Sequence, residues 1–208
     1  MTYRFEELDD VAKERARDWW RQLENDFDTE FVIEDVQRMG AILGITLDTH
    51  PVKLMGGGTR YDPTVYWSGF SSQGDGAQFE GRYAYVKGAH KAIRREAPKD
   101  KRLHAIADGL LKVQRACMYK LEARCDCKGA RYSNAGWMNV EVWHADDEYR
   151  ALPQNTPEAV TELMRDFADW VYRQLEAKYE WRMADEQVDD AITANEYEFE
   201  ADGNRSRF

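Results

Sequence analysis

Cysteine, proline and long apolar runs are all scarce in this chain. Its 208 residues include three cysteines and five prolines. So few cysteines, in an odd number, exclude a disulfide-stapled scaffold and point to a reducing compartment. No run nears the roughly 20 apolar residues needed to cross a bilayer as a helix, so no membrane association is expected. The opening MTYRFEELDD has no apolar core, and no secretory signal is expected there. Two missing motifs narrow the chemistry. GGGTR (56–60) is not followed by the Gly-Lys-Ser/Thr of a Walker phosphate loop, and no G-x-S-x-G nucleophile elbow occurs.

The chain does hold enough apolar matter for a core. Hydrophobic residues make up 43% and aromatics 12% of it, which argues against disorder although 33% is charged. The net charge of −10 is unevenly placed. Residues 1–86 carry −7, residues 87–124 carry +7, residues 125–145 balance, and residues 146–208 carry −10. An acidic field repels phosphate, so direct nucleic-acid binding is not expected. The basic stretch 87–124 reads as an internal counterweight to the acidic helices or tail.

Periodicity lays out the elements. Asp9 is placed to cap a first helix carrying Ala12, Ala16, Trp19, Trp20 and Leu23 at helical spacing. NDFD (25–28) breaks it, and Thr29 opens a second helix with Val32, Val36, Met39 and Leu43 on one face. Gly44 suits the left-handed position that ends a helix. ITLDT (45–49) reads as a short strand, and HPVKLMGGGTRYDP (50–63), with two prolines and three consecutive glycines, reads as loop. VYWSGFSS (65–72) and AQFEGRYAYV (77–86) predict a hairpin turning at Asp75-Gly76, with Phe79, Gly81, Tyr83 and Tyr85 on one face and Gln78, Glu80 and Arg82 on the other. Two helices follow, over 87–97 and 101–116. A second hairpin pairs 119–127 with 138–144 around the loop 128–136. Thr156-Pro157-Glu158 starts a long helix with Val160, Met164, Phe167, Val171 and Leu175 buried. The expected fold is α+β, an antiparallel sheet of about four strands, built from the two hairpins and packed with five or six helices. Residues 1–183 form one domain and 184–208 an acidic C-terminal arm, frayed or mobile.

Three constellations bear on function. Cys125 and Cys127 point to one strand face and, with His144, suggest metal ligands. A symmetric second hairpin sets Cys125 opposite Val140 and His144 opposite Leu121, two residue pairs apart. Core thiols beside a partly buried histidine are therefore expected, with no metal and no cofactor. SGFSSQGDGAQFEG (68–81) is the most distinctive passage. It reads as a chain reversal, or as a polar ligand clasp made by Ser71, Gln73 and Asp75. In the tail, Asp185, Glu186, Asp189 and Asp190 fall on neighbouring helical turns, while Tyr197 and Phe199 alternate with Glu196, Glu198 and Glu200. Aromatic anchors among acids suit a docking surface for a basic partner.

FEELDDVAKERARDWWR, YWSGFSSQGDGAQFEGRYAYVKGAHKAI and LHAIADGLLKVQR resemble a set of bacteriophage-encoded proteins labelled as the antitoxin of a toxin–antitoxin stability system. The likeness runs from Phe5 to Val142, and SGFSSQGDGA is its most specific part. This chain departs from the set at Gln78, where many members carry cysteine, and it lacks their histidine-bearing loop near Cys125 and Cys127. The resemblance implies phage origin and action in the bacterial cytoplasm. The expectation is an acidic, non-enzymatic binding protein that neutralises a host or toxin protein by contact, as an antitoxin, an anti-CRISPR-like anti-defence inhibitor or a nucleic-acid mimic. The partner surface would comprise Asp185, Glu186, Asp189, Asp190, Tyr197 and Phe199, with a homodimer left open. The alternative is a small enzyme or ligand-binding protein using the Ser71, Gln73, Asp75 turn.

Overall fold

The computed structural model describes residues 2–23, 28–127 and 133–206. In chain order the elements are β1 (Tyr3–Arg4), a 3-10 turn (Phe5–Glu7), α1 (Asp10–Leu23), α2 (Glu30–Leu43), β2 (Ile45–Leu47), β3 (Thr49–Lys53), β4 (Thr59–Pro63), β5 (Val65–Trp67), β6 (Ala77–Phe79) and β7 (Gly81–Ala84). They continue with α3 (Ala89–Glu96), α4 (Lys101–Ala116), β8 (Leu121–Asp126), a 3-10 turn (Ala135–Trp137), β9 (Asn139–His144), α5 (Thr156–Met183), α6 (Asp185–Ala194) and β10 (Glu198–Phe199). This is an α+β protein with antiparallel sheets, one of them four-stranded. The chain divides into two compact units, one of residues 30–174 and one of residues 1–29 with 175–208. α5 contributes to both. The break NDFD predicted at 25–28 falls largely outside the described residues, as does most of the 128–136 loop.

In the larger unit the main sheet runs β2-β7-β8-β9. The second predicted hairpin supplies β8 and β9 in the expected register, Cys125 opposite Val140 and Leu121 opposite His144. The first does not supply a simple pair of sheet strands. β5 and β6 form their own two-stranded sheet, and β7, after Glu80, joins the main sheet between β2 and β8. β7 alternates buried and exposed positions and β8 buried and half-buried ones, so one sheet face is covered. On it Tyr83, Leu121, Ala123 and Cys125 join Ile93, Leu103, Ile106 and Leu110 of the helices in the core. α4 begins where Asp100 accepts hydrogen bonds from the backbone N–H of Arg102 and Leu103, and the other carboxylate oxygen accepts from Trp170 Nε1 at 2.7 Å. Gly44 ends α2 at φ +89°, and a β-carbon there would lie 2.1 Å from the Ala84 carbonyl oxygen, so only glycine fits.

Residues 50–63, read as loop, instead form the β3–β4 hairpin, with Pro51 opposite Tyr61 and Thr49 opposite Pro63. The prolines are tolerated because a two-stranded ribbon leaves half its backbone groups unpaired. The glycines make the reversal, with Gly57 in the left-handed region at φ +90°.

The smaller unit corrects the expectation of a free arm. β1 pairs with β10, Tyr3 opposite Phe199, and α1 packs on α6. Phe5, Leu8, Ala12, Ala16 and Trp20 share a core with Val188, Ile192 and Phe199. The acidic composition of the tail hid a two-residue apolar stripe, Val188 and Ile192. Its partners sit at the other end of the sequence, which local periodicity cannot reveal.

Candidate functional site

The passage 68–76 folds as a braced loop. The hairpin closes where Ser68 N–H donates to the Gly76 carbonyl at 3.1 Å, which leaves a seven-residue reversal over 69–75 in place of the two-residue Asp75-Gly76 turn. Asp75 Oδ2 accepts from the backbone N–H of Ser72 at 2.7 Å and of Ser71 at 3.1 Å. These bonds, Ser72 first, hold the Asp75 carboxyl below the usual carboxylate range. The ligand clasp read from Ser71, Gln73 and Asp75 is therefore corrected in one member: Asp75 is engaged by its own loop. Ser71 and Gln73 remain exposed at the tip.

Two other segments clamp the loop. Ser68 Oγ donates to the Ser133 carbonyl at 3.3 Å and accepts from Gly76 N–H at 3.1 Å. Asn134 Nδ2 donates to the Gly74 carbonyl at 3.1 Å. Gly76 is forced by this contact, since a β-carbon would stand 2.6 Å from Asn134 Cβ. From α5, Tyr172 donates its hydroxyl to the Gly69 carbonyl at 3.0 Å and packs its ring 5.6 Å from Phe70. Beside these contacts, Trp67 and Trp137 remain 36% and 59% exposed. Trp67 leads into the loop and Trp137 follows the clamping Asn134. Neither tryptophan stands out by periodicity. The available signal is a large aromatic beside small residues, W-S-G and A-G-W.

Gln78 departs from its predicted outward position. It is 4% exposed, and its Oε1 is buried without a hydrogen-bond partner among the described residues. In register it faces Tyr66, whose hydroxyl is pushed up by burial and then by the charges of Glu80 and Cys127.

The tail residues sort into two groups. Arg17 binds Asp189 through both guanidinium and carboxylate edges, Nε to Oδ1 at 2.7 Å and Nη2 to Oδ2 at 2.8 Å. Arg21 binds Asp185. Phe199 is fully buried, and Tyr197 packs edge-on against Trp19 at 5.1 Å. Asp185, Asp189, Tyr197 and Phe199 are thus engaged within the unit; Phe199 is withdrawn from the surface, while Asp185 keeps 61% of its side chain exposed. Glu186 and Asp190 are exposed on α6. The basic stretch is also paired internally: Arg94 with Asp108 at 2.6 Å, and Arg102 with Asp169 at 3.2 Å.

Burial pushes the Cys125 and Cys127 thiols each up to about 12. Cys127 Sγ donates to the Phe79 carbonyl at 3.2 Å. No group of three or more His, Cys, Asp or Glu side chains positioned to hold a metal occurs among the described residues. His144 is buried, 3% exposed, rather than partly buried as expected. No helix among the described residues is long and apolar enough to cross a membrane.

Fold and site together describe an α+β domain that displays a braced polar loop beside two part-exposed tryptophans. The chain belongs to the family described as Domain of unknown function (DUF8835), which matches residues 28–185 and so spans the whole larger unit. No curated protein and no solved structure matches it.

Proposed function

We propose that this chain is a non-enzymatic binding protein. It neutralises a host or toxin protein by surface contact, and the 68–76 loop with Trp67 and Trp137 forms part of the contact surface. The observation that supports this most is the use of Asp75: its carboxylate holds Ser71 and Ser72 by their own N–H groups. The loop thereby offers a fixed polar tip and no free carboxylate for acid–base chemistry. A pre-ordered loop loses little entropy on binding. Tryptophans at such a surface are the residue type that most often carries interface energy. The resemblance to phage-encoded antitoxins supplies the expected setting, a bacterial cytoplasm. The net charge of −10 favours a partner with a basic surface.

The test is affinity capture from bacterial lysate with the tagged full chain, alongside a Trp67→Ala/Trp137→Ala variant. The expected result is one protein retained in stoichiometric amount by the wild type and lost with the variant. A variant that retains it undiminished, or a wild type that retains nothing, overturns the proposal.

A further inference from the structure

The β3–β4 ribbon is a two-stranded sheet of its own, and its hydrogen-bonding phase is fixed at both ends. At the tip Leu54 N–H donates to the Gly58 carbonyl at 2.9 Å, and at the base Thr64 N–H donates to the Asp48 carbonyl at 2.7 Å. Bonded and non-bonded pairs alternate along an antiparallel ladder. Val52 with Arg60 and His50 with Asp62 are therefore the bonded pairs in between. Thr49, Pro51 and Lys53 on β3, and Thr59, Tyr61 and Pro63 on β4, turn their backbone groups to the two outer edges.

Those edges differ. Pro51 stands in the middle of the β3 edge and offers no N–H, which blocks pairing there. β4 carries its proline at the end. The N–H and C=O groups of Thr59 and Tyr61 and the Pro63 carbonyl form an unbroken row. No strand among the described residues pairs with that row. Thr59, Arg60 and Tyr61 are exposed, Tyr61 at 67%. Arg60 and Asp62 lie on the opposite strand face from Tyr61. Arg60 Nε and Nη2 donate to Asp62 Oδ1 and Oδ2 at 2.6 and 2.9 Å, and Nη1 lies 3.6 Å from Glu30.

We propose that this edge pairs with the same edge of a second copy of the chain, β4 antiparallel to β4 about a twofold axis at Tyr61. Charge order carries the argument. Arg60-Tyr61-Asp62 has opposite charges on either side of its centre. Reversing the segment sets Arg60 of each copy opposite Asp62 of the other, so the edge is self-complementary. Each Tyr61 N–H donates to the other Tyr61 carbonyl, and each Thr59 N–H meets a Pro63 carbonyl. The two exposed Tyr61 rings come side by side on the other face. The neighbouring registers, with Thr59 opposite Tyr61 or Tyr61 opposite Pro63, set Arg60 against Arg60 or Asp62 against Asp62. Like charges directly opposed disfavour both. The pairing involves none of the residues of the loop surface, so either proposal can fail alone.

The experiment is sedimentation equilibrium of the full chain over a concentration series. The expected result is a reversible equilibrium between the mass of one chain and that of two. Tyr61→Pro removes the central donors at a position that donates nothing within the ribbon. It should give a monomer with an unchanged circular-dichroism spectrum. Charge reversal tests the register separately. Arg60→Glu chains and Asp62→Arg chains each oppose like charges, and each should dimerise about tenfold more weakly. An equimolar mixture of the two restores opposite charges across the axis and should recover the dimer. Loss of the Arg60–Asp62 pair within one chain cannot be repaired by mixing. A wild type that stays monomeric at every concentration, a folded Tyr61→Pro chain that dimerises as the wild type does, or a mixture that associates no better than either variant alone overturns the proposal.

Discussion

In the smaller unit, the polar groups that flank the core are ionised. Arg17, with 18% of its side chain exposed, grips Asp189, and Arg21 reaches Asp185, Asp18 and Glu14. In the larger unit the comparable clamp is neutral and fully buried. Gln114 donates to the Leu121 carbonyl at 2.8 Å and to the Tyr83 hydroxyl at 3.1 Å, and accepts from Leu121 N–H at 3.1 Å. One side chain thus ties α4 to both central strands. Part-exposed ion pairs stay hydrated, contribute modestly and weaken with salt. A buried amide with every bond made is indifferent to salt but has no substitute when removed. The two clamps therefore have opposite sensitivities, although the larger unit also carries ion pairs such as Arg94–Asp108.

The largest effect is expected from Phe199→Ala. It empties the shared core of Phe5, Trp19 and Ile192 and costs about 3–5 kcal/mol. Amide exchange in α1 and α6 should accelerate while β7 and β8 keep their protection. Equal loss in both sets would erase the distinction between the units. Gln114→Met comes next, at about 3 kcal/mol, since it leaves the Tyr83 hydroxyl and both Leu121 backbone groups unpaired in the core. Its urea midpoint should fall by the same amount at low and at high salt. A salt-dependent loss would contradict the neutral clamp.

Alkaline pH should separate the units further, because all three cysteines lie in the larger one. Burial pushes Cys125, Cys127 and Tyr83 each up to about 12. The unfolded chain releases the same protons near 8.5 for the thiols and 10 for the phenol. Stability from these groups is complete below about pH 8.5 and is lost as pH rises toward 12. The unfolding midpoint of the larger unit should decline between pH 8 and 10.5, and a flat profile would refute the assignment. The smallest effect is expected from Arg17→Met, about 1 kcal/mol. It should vanish at 1 M salt, where the wild type has already lost the attraction. A loss that persists undiminished there would mean that the contact of the Arg17 guanidinium with the Phe5 ring, 5.8 Å to its centroid, matters more than the ion pairs.

Local signals served well wherever one element carried its own evidence. Asp9 accepts from Ala12 N–H at 2.8 Å, as a capping residue should. Val160, Met164, Phe167, Val171 and Leu175 are all buried. Cys125 and His144 take their expected register partners. The β3–β4 ribbon escaped notice because prolines and glycines outweigh Val52 and Tyr61 in any propensity count. Half of the loop site is visible in the sequence: the 68–81 passage stands out as a reversal or a clasp, but whether Asp75 faces a ligand or its own loop does not. A carboxylate reads the same in sequence whether it faces solvent or its own backbone.

Residue order alone settled where α1, α2, α4 and α5 begin and which face of β8 is apolar, because caps, glycines and hydrophobic spacing act within a few residues of one another. Partnership was settled only in three dimensions. Phe199 with Phe5, Asp189 with Arg17 and Gln114 with Tyr83 are contacts between segments that share no local pattern. Burial and hydrogen-bond satisfaction choose among many sequence-compatible partners only after the chain has closed on itself.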